Sequence, residues 1–280
     1  MSGNNQQKTI LVTGCSSGIG AYCARALKAE GWHVIASARS EEDISTLRND
    51  GIEAYRLDYA DPDSIATFFA QAMEATGGRC DALFNNGGYG QVGAVEDLPV
   101  DALRAQFEAN FFGWHDLTRR VLPVMRAQRH GRIVQCSSIL GLVPMRFRGA
   151  YNASKHALEG LSVTLAMELE GSGIHVSLIE PGAIKSKFRA NALKLFHRNI
   201  DIENSLHLED YQAQLRRLEK QEQSDSGKLG PEAVHEVLRH ALTSPRPRYH
   251  YPVTRAAKLG VLARRILPAR IFYPWLATQD

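Results

Sequence analysis

Seven short apolar runs, parted by longer stretches of helical period, leave this chain few ways to fold. They occupy residues 9–13, 33–37, 53–57, 82–85, 132–136, 175–179 and, late in the chain, 249–253. Strands that alternate with helices build βαβ crossovers, and crossovers place helices on both faces of a parallel sheet. The expected fold class is therefore α/β, doubly wound, with a seven-stranded parallel sheet. The chain has 280 residues, of which 44% are hydrophobic. That suffices for one large core or two small ones, and motifs running from Gly14 to Gly182 favour one domain over residues 1–280. The motifs follow strands: Gly14 the first, Asn86 the fourth, Ser138 the fifth, Pro181 the sixth. Ligands of open α/β sheets bind beyond the strands' carboxyl ends, so all four are expected to meet in one crevice.

The first run breaks into a turn with glycines at 14, 18 and 20. Such a backbone turns tightly and approaches a pyrophosphate, and a helix opening near Ile19 aims its amide-rich end at the negative charge. The spacing is G-x-x-x-G-x-G, not the G-x-G-x-x-G fingerprint, so an ordinary βα turn is the alternative. The second feature is Tyr151-Asn152-Ala153-Ser154-Lys155, which sets a phenol and an ammonium one turn apart on one helix face. A fixed cation favours the phenolate, so Lys155 is expected to draw the Tyr151 pKa down from about 10 toward the working range. Pairs like this also occur on solvated helices, and spacing alone does not decide.

Together, Thr13-Gly14-x-x-x-Gly18-x-Gly20 and Tyr151-x-x-x-Lys155 resemble the short-chain dehydrogenase/reductase superfamily, across residues 8–253. Asn85-Asn86-Gly87, Asn110, Ser137-Ser138 and Pro181-Gly182 extend the match. Residues 14–20 and 179–184 and the tail Tyr251-Pro252-Val253-Thr254 are similar to bacterial NADP-dependent aldehyde reductases related to hydroxysteroid and retinol dehydrogenases. The resemblance implies a single Rossmann domain in a homodimer or homotetramer. It assigns cofactor binding to Gly14, Ser16, Ser17, Gly18, Ile19, Gly20, Arg39, Asp58, Asn86, Gly87, Tyr151, Lys155, Pro181, Gly182, Ile184 and Ser186. Tyr151 would be the proton donor and acceptor, Ser138 would orient the same substrate oxygen, and Lys155 would hold the nicotinamide ribose. Asn110, inside an apolar helical stretch over residues 103–122, would bend that helix and hold a water linking Lys155 to solvent. Asp58 would meet adenine.

A carboxylate about 20 residues past the glycine turn would select NAD, and a basic residue there would accept a 2′-phosphate. Arg39 lies nineteen residues after Gly20, and residues 31–40 hold no acid. NADP(H) is the expected cofactor, although Ser16 and Ser17 stand where some NADP-preferring relatives carry a second basic residue. Leu140, Val143, Pro144, Met145, Ala183 and Phe188 would wall the pocket without a charged anchor, so a lipophilic carbonyl or alcohol is the expected substrate. A catalytically silent NADP-binding regulator or scaffold is the alternative, opposed by the full set of Asn110, Ser138, Tyr151 and Lys155. A nucleotide-sugar epimerase or dehydratase is disfavoured by the glycine spacing and the short C-terminal region.

Two segments interrupt the alternation. Residues 186–230 are polar and helix-rich, with Phe188, Leu193, Leu195 and Phe196 near the start, and are expected to form a substrate lid. Residues 254–280 form a basic extension: from 238 to 279 there is no acid, against eight arginines and lysines. It would cap the domain, join a dimer or make peripheral membrane contact. The net charge is +3, and no nucleic-acid partner is expected. No run reaches the ~18 apolar residues of a membrane span, and residues 1–8 lack a signal-peptide core, so a cytoplasmic protein is expected. Cys15, Cys23, Cys80 and Cys136 have no metal-ligand spacing; reduced thiols and no metal are expected.

Overall fold

The computed structural model describes residues 7–223 and 228–278, with side chains 217–223 outside the description. All seven expected strands form: β1 (Thr9–Val12), β2 (His33–Ala38), β3 (Glu53–Arg56), β4 (Ala82–Asn85), β5 (Gly131–Cys136), β6 (Ile174–Glu180) and β7 (His250–Pro252). They make one parallel sheet in the order β3-β2-β1-β4-β5-β6-β7. Every residue of β1 and β4 is buried, as strands covered on both faces must be. The strand order reverses between β1 and β4, which opens the crevice where the sequence motifs were expected to converge. β1 stops one residue short of expectation, because Thr13 turns its hydroxyl into a polar cluster. β6 runs on to Glu180, whose carboxylate accepts the Tyr251 amide at 2.8 Å.

Helices follow their local signals. α1 (Gly18–Ala29) buries Gly20, Ala24 and Leu27 along one stripe, and α2 (Glu41–Asn49) starts at Ser40, whose side chain accepts from the Asp43 amide. In α3 (Pro62–Ala75), Asp61 caps two amides and Pro62 fills the first turn. The stretch expected as one helix over 103–122 is three pieces: α4 (Val100–Phe107), a π turn at Glu108–Phe112, and α5 (Gly113–Gln128). α6 (Gly149–Glu168) carries Tyr151 and Lys155. α9 (Glu232–Thr243) packs on α1.

The inserted segment contributes α7 (Phe188–Asn199) and α8 (Leu208–Gln223), with residues 224–227 outside the described ones. It has its own apolar cluster: Phe196, Ala192, Ile200 and Tyr211 bury against Val92, Ala94 and Phe147. Phe196 was expected in the apolar start of a substrate lid. Instead it is 2% exposed inside this satellite core, packed edge-on against Tyr211 at 5.0 Å. The chain ends in α10 (Arg255–Ile266) and α11 (Ala269–Ala277).

Candidate active site

The glycines of the first turn are fixed by close backbone approach. A Cβ on Gly14 would lie 2.4 Å from the Gly87 Cα, and one on Gly20 would lie 2.3 Å from the Gly14 carbonyl. Gly14 and Gly18 also adopt φ of +68° and +56°, the left-handed region that suits glycine. Asn86 pins the turn to the end of β4 by donating from Nδ2 to the carbonyls of Thr13 (3.1 Å) and Gly14 (3.3 Å). Below it, Thr13 Oγ1 accepts the amides of Asn86 and Gly87 and lies 2.9 Å from the Tyr59 hydroxyl. That hydroxyl is 2.6 Å from Asn85 Oδ1. Ser17 caps α1 with no side-chain bond, so the helix's leading amides remain available to an anion.

Across the crevice, a Cβ on Gly18 would meet Ser186 Cβ at 2.7 Å, so the turn touches the segment that follows β6. Pro181 accepts the Ile139 amide at 3.0 Å, and Gly182 is packed so closely on Thr254 that a Cβ would reach its hydroxyl at 2.3 Å. Ile184 forms a bridge to Leu229. The glycine cradle, Asn86, Gly87, Pro181, Gly182 and Ser186 thus surround one cleft at the strand ends. The uncapped amides at the start of α1 fit a dinucleotide phosphate. Arg39 is exposed just past β2, and among the described residues no ion pair engages it. Asp58 is less available: its Oδ1 accepts the Ala60 amide at 3.1 Å, the turn geometry typical of aspartate.

Tyr151, Lys155 and Ser138 converge from α6 and the end of β5. The Tyr151 phenol is buried near the Ser138 hydroxyl and stacks edge-on against Phe188 at 5.4 Å. Ser138 also accepts the Leu140 amide at 3.1 Å, which fixes the turn at Ile139–Gly141. Lys155 is 3% exposed; its ammonium donates to the Cys136 carbonyl at 2.8 Å and lies 4.1 Å over the Trp114 ring but 5.8 Å from the Tyr151 ring. The expected lowering of the Tyr151 pKa is not met. Burial raises it, and the nearby Ser138 hydroxyl only partly opposes this, while the ammonium points at Cys136. Lys155 itself is lowered to about 8 by burial, despite the opposing fields of Cys136 and Glu159.

Asn110 sits in the π turn that interrupts its helix. Its amide is committed elsewhere: Oδ1 accepts the Tyr89 amide at 3.1 Å and Nδ2 donates to the Tyr89 carbonyl at 2.8 Å. Both polar groups of its side chain are therefore held by the Tyr89 backbone. Gly88 makes room for this bond pair, since a Cβ there would press on Asn110 Oδ1 at 2.8 Å.

Sequence reasoning missed four residues here. Trp114, one turn past Asn110, donates from Nε1 to the Gly87 carbonyl at 2.7 Å and presents its face to Lys155. Glu159, one turn past Lys155, faces Ser137 and Glu180, and His250 Nδ1 bridges the two carboxylates at 2.7 Å to Glu180 and 3.5 Å to Glu159. The signal was the helical spacing from residues already singled out. Burial and the neighbouring Glu180 raise Glu159 to about 7, and burial also raises Glu180. The bond to Glu180 raises His250. A carboxyl raised in the fold costs nothing below the unfolded value near 4.5 and its full amount above about 7, so stability falls as pH rises through that window. The His250 contribution, present below its unfolded pKa and lost above its folded one, has the same sign. Glu159→Gln should therefore stabilise the protein at alkaline pH, by on the order of 1–3 kcal/mol, and leave it near wild type in acid. Thermal melts across pH check this; an equal shift at both ends would remove the buried carboxylate as its cause.

A family model described as short chain dehydrogenase matches residues 8–194. The chain is 38% identical over 271 residues to the uncharacterized oxidoreductase YbbO of Escherichia coli, covering 97% of this chain and 94% of that one. It is 37% identical over 196 residues to human retinol dehydrogenase 8, covering 66% and 62%. Among solved structures, a short chain dehydrogenase/reductase from Burkholderia phymatum in complex with NAD superposes with TM-score 0.79, 26% identity and coverage of 92% and 93%. An actinorhodin polyketide ketoreductase with NADPH gives TM-score 0.73, 28% identity and coverage of 90% and 97%.

Proposed function

The chain belongs to the short-chain dehydrogenase family, and from that membership we propose that it is an NADP(H)-dependent oxidoreductase interconverting a lipophilic aldehyde or ketone and its alcohol. The observation that carries this is the convergence of a buried tyrosine, serine and lysine on the crevice that the glycine cradle opens. The nicotinamide, when bound, supplies or accepts the hydride. Tyr151 gives its proton to the substrate oxygen during reduction, and a phenol held neutral by burial is ready to do so at neutral pH. Ser138 donates to the same oxygen and fixes its position. Lys155 holds the nicotinamide ribose, with Cys136 and Trp114 setting the direction of its side chain. Asn110 acts through the π turn and Tyr89, as a positioning residue.

Gly14, Ser16, Ser17, Gly18, Ile19 and Gly20 receive the pyrophosphate, and Asn86, Gly87, Pro181, Gly182, Ile184 and Ser186 line the rest of the cofactor's path. Phe188 covers Tyr151 from α7, which supports reading residues 186–230 as a substrate lid with an apolar inner surface. Four buried free cysteines are in keeping with a reducing cytoplasm, where we place a homodimer or homotetramer.

Arg39 carries the cofactor preference. A guanidinium forms paired bonds to a 2′-phosphate and gains little from a free ribose hydroxyl. Arg39→Ala should weaken NADPH by roughly 1.5–3 kcal/mol and barely change NADH. Titrating both cofactors against wild type and variant, with an aldehyde panel to read turnover, tests the whole reading. A wild type preferring NADH would overturn the NADP assignment, and NADPH binding without turnover of any carbonyl would return the silent regulator.

A further inference from the structure

We propose that α10 and α11 form a docking surface for an anionic lipid bilayer, from which the site takes lipophilic carbonyl substrates. The inference rests on the oxidoreductase reading for its substrate, and on surface chemistry for its partner. α10 is held to the domain by one narrow face. Thr254 caps it by accepting the Ala257 amide at 3.1 Å, Ala257 is buried, and Gly260 comes within van der Waals reach of Val143 and Ile139, where a Cβ would stand 3.7 and 3.9 Å away. Those two residues belong to the turn immediately after Ser138. The helix is thus seated beside the proposed mouth of the site.

Its other face is open. Leu259, Leu262 and Ile266, at spacings of three and four, are 66%, 52% and 68% exposed and form one stripe. α11 is anchored by Phe272, 1% exposed, and leaves Ile271, Tyr273 and Trp275 about half exposed. An apolar surface this concentrated marks a partner. Arg255, Lys258, Arg264, Arg265 and Arg270 are all exposed around it, and no acid occurs between residues 238 and 279. Lipid suits that combination: apolar side chains enter the acyl boundary, aromatic rings sit at the headgroups, and arginines reach anionic phosphates. A second copy of the chain suits it less, because pairing the patch with itself would bring five cations against five with no acid in the segment to neutralise them. Among the described residues no helix is long and apolar enough to cross a membrane, so the helices would lie on the surface.

The test uses the full chain and phosphatidylcholine vesicles with or without phosphatidylglycerol. Flotation should show at least ~10-fold stronger binding to the anionic vesicles, abolished by high salt. Leu259→Glu with Ile266→Glu, and separately Arg264→Gln with Arg265→Gln and Arg270→Gln, should each lower that binding by ~10-fold or more. Both variants should keep wild-type turnover of a short water-soluble aldehyde, which shows that they fold. With a long-chain aldehyde dissolved in the vesicles, both should lose rate in parallel with binding. No binding to anionic vesicles, equal binding to both kinds, or a wild-type oligomer that the glutamate variant dissociates would overturn the proposal, the last by making the patch an interface between copies. If vesicle binding stands but no carbonyl is turned over, it is the enzymatic reading that fails.

Discussion

Tyr151→Phe should lower kcat by about 10²–10⁴-fold, the range of a positioned general acid, while NADPH affinity and thermal stability stay near wild type. The ring packs against Phe188 at 5.4 Å, and phenylalanine keeps that contact. What is lost is one hydroxyl, the one beside Ser138. Steady-state kinetics beside a fluorescence titration of the cofactor separate the two effects. A variant keeping more than about a twentieth of kcat, well outside that range, would remove Tyr151 from the proton step. The two directions should also differ in pH dependence. Burial raises the Tyr151 pKa, so the neutral phenol needed for reduction is present through neutral pH and that rate stays flat. Alcohol oxidation needs the phenolate, and its rate rises with pH.

Replacing Lys155 should do broader damage. Lys155→Ala deletes the ammonium and a buried stem together, leaving the Cys136 carbonyl without its donor, a loss worth about 1–3 kcal/mol for a buried group. Lys155→Met keeps much of the packing and removes only the charge, and so isolates the chemistry. We expect it to weaken NADPH at least ~10-fold and to reduce kcat by about 10²-fold or more, the size of a lost charge-assisted contact. With Lys155 lowered to about 8, cofactor affinity in the wild type should fall as pH rises through that value, because only the ammonium bonds the ribose, and the Met variant should lose this dependence. A Met variant with normal affinity and an unchanged pH profile would take the ribose role away from Lys155.

The strands were legible because parallel strands buried on both faces read as unbroken apolar runs, and their ends shifted by a residue here and there. Thr13 left β1 for its polar cluster, and Glu180 extended β6 to reach Tyr251 and His250. The motif residues were legible because glycine and the Tyr-x-x-x-Lys spacing are local patterns. What was not legible came from contacts across the fold. That Lys155 would face Cys136 and Trp114 more closely than Tyr151 depends on the approach of α5 to α6. The commitment of Asn110 to Tyr89 depends on the room left by Gly88, which meets Asn110 only across the fold. Phe188 and Phe196 look alike in sequence at eight residues apart, yet one covers Tyr151 and the other fills a core whose partners, Val92, Ala94 and Tyr211, lie elsewhere along the chain.

The four cysteines carry a consequence for the proposed carbonyl chemistry. All are buried and unpaired. Burial pushes the Cys15 thiol to about 12 and the Cys136 thiol to about 11, and raises those of Cys23 and Cys80 as well. Only the thiolate attacks an electrophile, so sulfur that is both hidden and protonated stays unreactive toward aldehydes and enones. Cys136 is the sharpest case, because its carbonyl holds the Lys155 ammonium next to the reaction crevice while its own thiol stays in the core. The fold thus places a residue with a potentially vulnerable side chain beside electrophile chemistry and uses only its backbone. Inactivation through these thiols would then have to begin with unfolding.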